Sequence, residues 1–115
     1  MSLAIRLMPE PVRSINFADI DDFYKPLGTA MTRPIRIIFL NNLTNANMMF
    51  SFNGINDHMP LPSWGYILLD ITSNKTIPQG FFLAEGQQIY VKKESALEIP
   101  TLGNVYLSTF YGAEL

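Results

Sequence analysis

The chain has 115 residues, with 8 basic against 10 acidic side chains for a formal net charge of -2, and no cysteine. No bulk positive field is present to draw nucleic acid or an anionic membrane, and disulfide and thiolate chemistry are excluded. The length suits one domain, and the 48% of apolar residues supports a real core, yet the charged share of 16% is well under the roughly 25% usual in soluble proteins. The deficit is deepest from Arg36 to Lys75, where only Asp57, His58 and Asp70 lie between as groups able to carry charge.

In chain order, the apolar start of the sequence is broken by Arg6, Pro9 and Pro11. It is too short and too interrupted for a signal peptide. No run approaches the ~20 apolar residues of a membrane-spanning helix. Residues 1–33, punctuated by Pro9, Pro11, Pro26 and Gly28, read as an extended N-terminal arm that packs on the domain or on neighbours, with residues 2–12 outside the period-two core. Within it, Phe17–Tyr24 reads either as a short helical turn with Phe17, Ile20 and Tyr24 on one side or as an extended segment. From Pro34 the apolar period becomes two, the mark of strands. Ile35, Ile37 and Phe39 alternate with Arg36, Ile38 and Leu40, and Met48, Phe50 and Phe52 with Asn47, Met49 and Ser51. Asn53-Gly54 is the strongest turn signal, of the type I′ hairpin kind. A strand over Tyr66–Ile71, a polar turn over Thr72–Thr76 and an apolar run Phe81–Ala84 introduced by Pro78–Gly80 follow. Glu85-Gly86 reads as a hairpin turn into a strand over Gln87–Lys92, Lys93–Pro100 as a polar connection, and Asn104–Tyr111 as the last strand. Six or seven short strands with turns every roughly 8 to 12 residues point to a sandwich, jelly roll or small barrel. The expectation is all-β: a small antiparallel β-sandwich or jelly roll over residues 34–115, carrying the N-terminal arm.

Chemistry is sparse. Asp57 next to the sole histidine, His58, is the best place to look, since a carboxylate can tune an imidazole near neutral pH. Adjacent strand residues point to opposite faces, however, and Ser51 or Ser63 nearby makes no triad without geometry. No catalytic residue is assigned. With one histidine and no cysteine, and with Asp19, Asp21 and Asp22 lacking the glycine and terminal glutamate of a calcium loop, neither metal nor cofactor is expected. Gly80, Gly86 and Gly103 stand singly and form no phosphate loop. Trp64, Tyr66, Tyr90, Tyr106 and Tyr111 would need a basic groove to stack nucleic acid, and Lys92 with Lys93 does not supply one. These rings read as core and interface residues. A second sheet face carrying Ile38, Leu40, Met49, Ile67 and Leu69 would leave an apolar surface for a neighbour to cover. The arm would add to an adjacent subunit along an edge or in a groove. The interface candidates are Ile5, Leu7, Phe17, Phe23 and Tyr24 in the arm, with Asp57 and His58 at a hairpin tip.

The succession RIIFLNNLTNANMMFSFNGINDHMPLP, LLDITSNKT, QGFFLAEGQQIYVKK and PTLGNVYLSTFYG, over about residues 33 to 112, resembles small structural proteins of tailed bacteriophage virions. The resemblance implies a non-enzymatic subunit, made in the host cytoplasm and built into the virion. Such a subunit is a shell decoration or cement protein, or a head-tail connector or neck component. Its partners would be major capsid, portal or tail proteins and further copies of itself in a symmetric homo-oligomer, without direct nucleic-acid or membrane contact. The alternative is a carbohydrate- or receptor-binding β-sandwich module of a tail or fibre.

Overall fold

The computed structural model describes residues 5–70 and 83–114. The turn expected over 72–76, the last residue of the strand expected over 66–71, and the run expected from Pro78 to Phe82 lie outside the described residues. In chain order the strands are β1 (Ile5–Pro9), β2 (Arg13–Asn16), β3 (Lys25–Pro26), β4 (Ile35–Thr44), β5 (Met48–Ser51), β6 (Met59–Leu61), β7 (Tyr66–Asp70), β8 (Tyr90–Lys93) and β9 (Gly103–Glu114), with a 3-10 turn over Phe17–Asp19. They form two antiparallel sheets: a five-stranded one ordered β1-β9-β4-β7 with β2 also on β9, and a four-stranded one ordered β3-β8-β5-β6.

β1 and β2 share one edge of β9, the first opposite residues 110–114 and the second opposite residues 104–107. Pro9 and Pro11 account for the break, because proline cannot donate to a ladder. Glu10 between them holds the line, its amide donating to the Thr109 carbonyl at 3.0 Å. Counted as one broken strand, β1 and β2 leave eight strands whose pairing is nested. The first lies against β9, β3 against β8, β4 against β7 and β5 against β6. A nested antiparallel hairpin rolled into two facing sheets is the jelly-roll order. The all-β class read from the period of two is therefore present, in its jelly-roll form.

The core lies between the sheets, with Ile38, Leu40, Val105 and Leu107 from one and Met48, Phe50, Leu61 and Val91 from the other. An extra residue in β4 against β9, between Ile35 and Ile37, resets the alternation so that Ile35 and Ile38 are both buried. The faces of β4 and β7 therefore come out opposite to the sequence expectation. Ile38 and Leu40 are buried, Ile67 and Leu69 pack against the core, and Tyr66 and Leu68 are the exposed residues of β7.

Strands β1 and β2 join the five-stranded sheet and β3 the four-stranded one, so residues 5–33 contribute to both. Ile20, Leu27 and Met31 are buried core residues. The amides of Leu27 and Met31 donate to the carbonyls of Ile89 and Gln87, each at 2.8 Å. Gly28, at φ +73°, lets the chain cross Arg13, since a Cβ there would stand 2.6 Å from the Arg13 Cβ. The Glu85-Gly86 turn forms with Gly86 at φ +87°, but it joins the two sheets and not neighbouring strands. Leu83 bridges Ile35 on the five-stranded side, and β8 lies in the other sheet.

Candidate functional site

The connection between β5 and β6 runs over Phe52–His58 and carries the two hairpin-tip candidates. A type I′ turn needs positive φ at both central residues. Asn53 lacks it and Gly54 has it, at +77°, so Asn53-Gly54 does not close a two-residue hairpin. Side-chain acceptors build the loop instead. Ser51 Oγ accepts from the amides of Asn53 and Gly54 at 3.2 and 2.9 Å, and Asn53 Oδ1 from those of Ile55 and Asn56 at 2.8 and 2.9 Å. His58 fastens its end. The His58 amide donates to the Phe50 carbonyl at 3.0 Å, and Nδ1 accepts from the Phe52 amide at 3.0 Å. The ring is thus oriented by Phe52 backbone and ring contact, and not by a carboxylate.

Asp57 turns to the N-terminal segment. The Tyr24 hydroxyl donates to Asp57 Oδ1 at 2.5 Å, Lys92 Nζ lies 3.3 Å from the same oxygen, and that ammonium sits 4.8 Å from the centroid of the Tyr24 ring. The Tyr24 hydroxyl holds the Asp57 carboxyl below the usual range; burial opposes it, and Lys92 and then His58 add to the lowering. Burial, followed by the anionic acceptor, pushes the Tyr24 phenol above its usual range. Tyr24 stays a neutral donor and Asp57 an anion at neutral pH, a state suited to clasping two segments and unsuited to passing protons. The structure thus brings Tyr24, Asp57 and His58 to one corner, beside Phe23, which is 76% exposed. Phe17, half-buried in the 3-10 turn, and Leu7, partly exposed on β1, lie with the five-stranded sheet instead. Ile5 is the first residue of β1, opposite Glu114.

A second polar centre carries no sequence signal. Glu10 and Arg13 form a buried ion pair at 2.9 Å. Arg13 also donates to Thr109 Oγ1 at 2.9 Å and to the carbonyls of Thr29 and Ala30 at 2.7 and 3.0 Å. Glu10 further accepts from the Thr109 hydroxyl at 2.8 Å, from the Thr32 amide at 3.0 Å and from the Thr32 hydroxyl. Burial raises the Glu10 pKa, and hydrogen bonds from Thr32, Thr109 and Arg13 outweigh it, lowering the pKa from 4.5 to about 2. A cleft of about 400 Å³ opens beside the pair, lined by Pro11, Val12 and Thr29 among others. The guanidinium in its wall is already directed at protein acceptors, so the pair acts as a fastening.

The remaining feature is apolar exposure. Tyr66 and Leu68 are 68% and 56% exposed on β7, with Tyr66 stacked on Phe39 of β4 at 5.6 Å between centroids. Trp64, 57% exposed, occupies the left-handed position of the Pro62–Gly65 turn at φ +63°, a place that glycine ordinarily fills. Its turn is held by Ser63, whose hydroxyl donates to the Thr44 carbonyl at 2.7 Å and whose amide donates to Asn47 Oδ1 at 3.0 Å. Asn47 in turn donates to Glu98, which brings the loop bearing exposed Leu97 and Ile99 to the same end of the sandwich. Among the described residues, no group of three or more His, Cys, Asp or Glu side chains is placed to hold a metal ion. Comparison with protein-family models, with curated proteins and with solved structures finds no match in any of the three.

Proposed function

We propose that this chain is a non-enzymatic assembly subunit of a tailed-bacteriophage virion, a shell decoration or cement protein or a head-tail joining component, working through protein contacts. The observation that carries the reading is the apolar outer surface of the five-stranded sheet, where exposed Tyr66 and Leu68 lie beside Phe39. Surfaces of this kind mark interaction sites more often than they occur on free monomers. The jelly-roll order supports it at the level of fold analogy, since viral capsid domains use that architecture. The clasp of Tyr24, Asp57 and Lys92 supports it too: the polar groups nearest the histidine join segments of the fold. The resemblance of sequence phrases supplies the virion setting. Quantitative mass spectrometry of purified particles tests the whole. A ratio to the major shell protein near one or a simple fraction fits decoration, a small fixed number fits the neck or tail, and absence from particles refutes the proposal.

A carbohydrate-binding module of a tail or fibre is the second reading, favoured by exposed Trp64 in its strained turn and by the use of the same architecture in lectins. Glycan binding that disappears in Trp64→Ala and Tyr66→Ala variants with unchanged melting would support it. Binding that survives both substitutions removes it.

A further inference from the structure

Asn53 is the one asparagine of the chain that is followed by glycine, and the loop built on it aims several hydrogen-bond donors at its side chain. The Asn53 carboxamide oxygen accepts from the amides of Ile55 and Asn56 at 2.8 and 2.9 Å and from the Ser51 hydroxyl at 2.9 Å. Donors fixed on a carbonyl oxygen draw electron density from its carbon and stabilise the charge that develops when that carbon is attacked. The other end of the carboxamide is held as well, Nδ2 donating to Asn56 Oδ1 at 2.9 Å.

The nucleophile for that carbon is next in the chain. The Gly54 amide donates to Ser51 Oγ at 2.9 Å, so the hydroxyl of a fully buried residue accepts from this nitrogen and donates to the Asn53 carboxamide oxygen. A hydroxyl can do both at once. It can therefore take the amide proton and deliver its own to Oδ1 while the new bond forms, which avoids a separated charge in the intermediate. Glycine at 54, at φ +77° and without a side chain, leaves the nitrogen open to close approach.

We infer that Asn53-Gly54 is a self-modification site, at which the fold promotes cyclisation of Asn53 with loss of ammonia and Ser51 relays the proton. The Gly54 nitrogen bonds to Asn53 Cγ, its proton passes to Ser51 Oγ, and the Ser51 proton passes to Asn53 Oδ1. Collapse of the tetrahedral carbon re-forms the carbonyl, breaks the Cγ–Nδ2 bond and gives the Oδ1 proton to the departing nitrogen, which leaves as ammonia. The product is a succinimide, and water, the sole co-reactant, opens it. Opening at Cγ gives aspartate; opening at the main-chain carbonyl gives isoaspartate, whose backbone runs through the former side chain. Either product adds an anion to the loop that carries Asp57. This chemistry goes beyond the assembly reading and does not depend on it.

Peptide mapping by mass spectrometry tests it on the full chain aged at neutral pH, with aspartate and isoaspartate products separated by chromatography. Wild-type chain is aged in parallel folded and unfolded in guanidinium chloride, because the unfolded chain gives the rate set by local sequence alone. The folded chain should convert Asn53 faster by at least about tenfold, a modest share of what a positioned proton-transfer group contributes. Asn45 and Asn56, exposed but followed by Ala46 and Asp57, should stay intact over the same period. Ser51→Ala, checked for folding by a circular-dichroism melt, should slow conversion in the folded chain by about tenfold or more. A folded wild-type chain that converts Asn53 no faster than the unfolded one overturns the inference, and this comparison needs no variant. A folded Ser51→Ala chain that converts at the wild-type rate overturns the relay, and conversion of Asn45 or Asn56 alongside Asn53 would show that exposure alone suffices and overturn the site.

Discussion

Glu10→Gln removes one charge from a buried pair while keeping the size of the side chain, and it isolates what fastens the N-terminal strands. Two estimates of the cost agree. The fall of the Glu10 pKa from 4.5 to about 2 corresponds to about 3 kcal/mol at neutral pH. Breaking a buried ion pair by losing one partner costs about 3 to 5 kcal/mol, because the other charge is left uncompensated. Arg13 would be that charge, its side chain 5% exposed. The carboxyl's folded-state pKa is depressed, so its contribution is complete above about pH 4.5 and is lost as the pH falls toward 2. At pH 3 about 2 kcal/mol of it should already be gone. Urea unfolding followed by far-ultraviolet circular dichroism at pH 7 and pH 3 reads both numbers. The variant should be less stable by about 3 to 5 kcal/mol at pH 7, and it should lose about 2 kcal/mol less than the wild type between the two pH values. Asp21 and Asp57, also held below their usual range, are present in both proteins and cancel in this difference. A variant within about 1 kcal/mol of wild type at pH 7, or one with the same acid sensitivity, would refute the reasoning, since either result lies outside the range for a buried pair.

Four further outcomes follow from local geometry. Gly103→Ala should cost more than about 3 kcal/mol, because its Cβ would stand 1.8 Å from the Leu43 carbonyl oxygen at φ +98°. Gly86→Ala, at φ +87° with nothing within 4 Å, should cost only about 1 to 2 kcal/mol, and equal melting temperatures for the two variants would show that the close approach at Gly103 is absent. Trp64→Gly should raise stability by about 1 kcal/mol, by relieving the left-handed backbone; a lower melting temperature would mean that the indole itself holds the turn. Tyr24→Phe should let the Asp57 carboxyl titrate higher, toward its usual range, in a carbon-detected NMR titration. An unmoved midpoint would assign the effect to Lys92 and His58.

The sequence carries the sheet-forming segments because a period of two is a local property: β5 and β7 fall inside predicted runs, and β4 and β9 contain theirs and run beyond them. It does not carry which face of β4 is inward, since one bulged residue between Ile35 and Ile37 reverses the assignment, and no pattern in Pro34–Ile38 announces it. The sequence also leaves open how the N-terminal segment packs. Prolines at 9 and 11 signal a broken strand, which a free arm and a kinked edge strand share, and only pairing with β9 separates the two. Of the candidate residues, Tyr24 and Asp57 meet across 33 positions of sequence, a contact that pattern reading suggested as two separate surfaces. Asn42 is the clearest omission. It sits fully buried with its amide donating to the carbonyls of Ala46, Leu61 and Pro62, yet in an Asn-rich stretch it looks like one more turn residue. Buried polar side chains depend on partners distant in sequence, so composition cannot single them out.

The low charge of the chain takes on a different meaning once its placement is known. The surface ion pairs Asp21–Lys25, Asp22–Lys93 and Asp57–Lys92 all involve β3, β8 or the hairpin tip, on the four-stranded side. The pair Glu10–Arg13 is buried. Exposed pairs of this kind add at most about 1 kcal/mol each, so their main effect is on solvation: one side of the sandwich is kept wet. The opposite face is left to Asn, Ser, aromatic and aliphatic side chains with Asp70 at its rim. A uniformly charge-poor monomer would have no preferred side on which to associate. Segregation of these surface pairs gives the two sides different solvation.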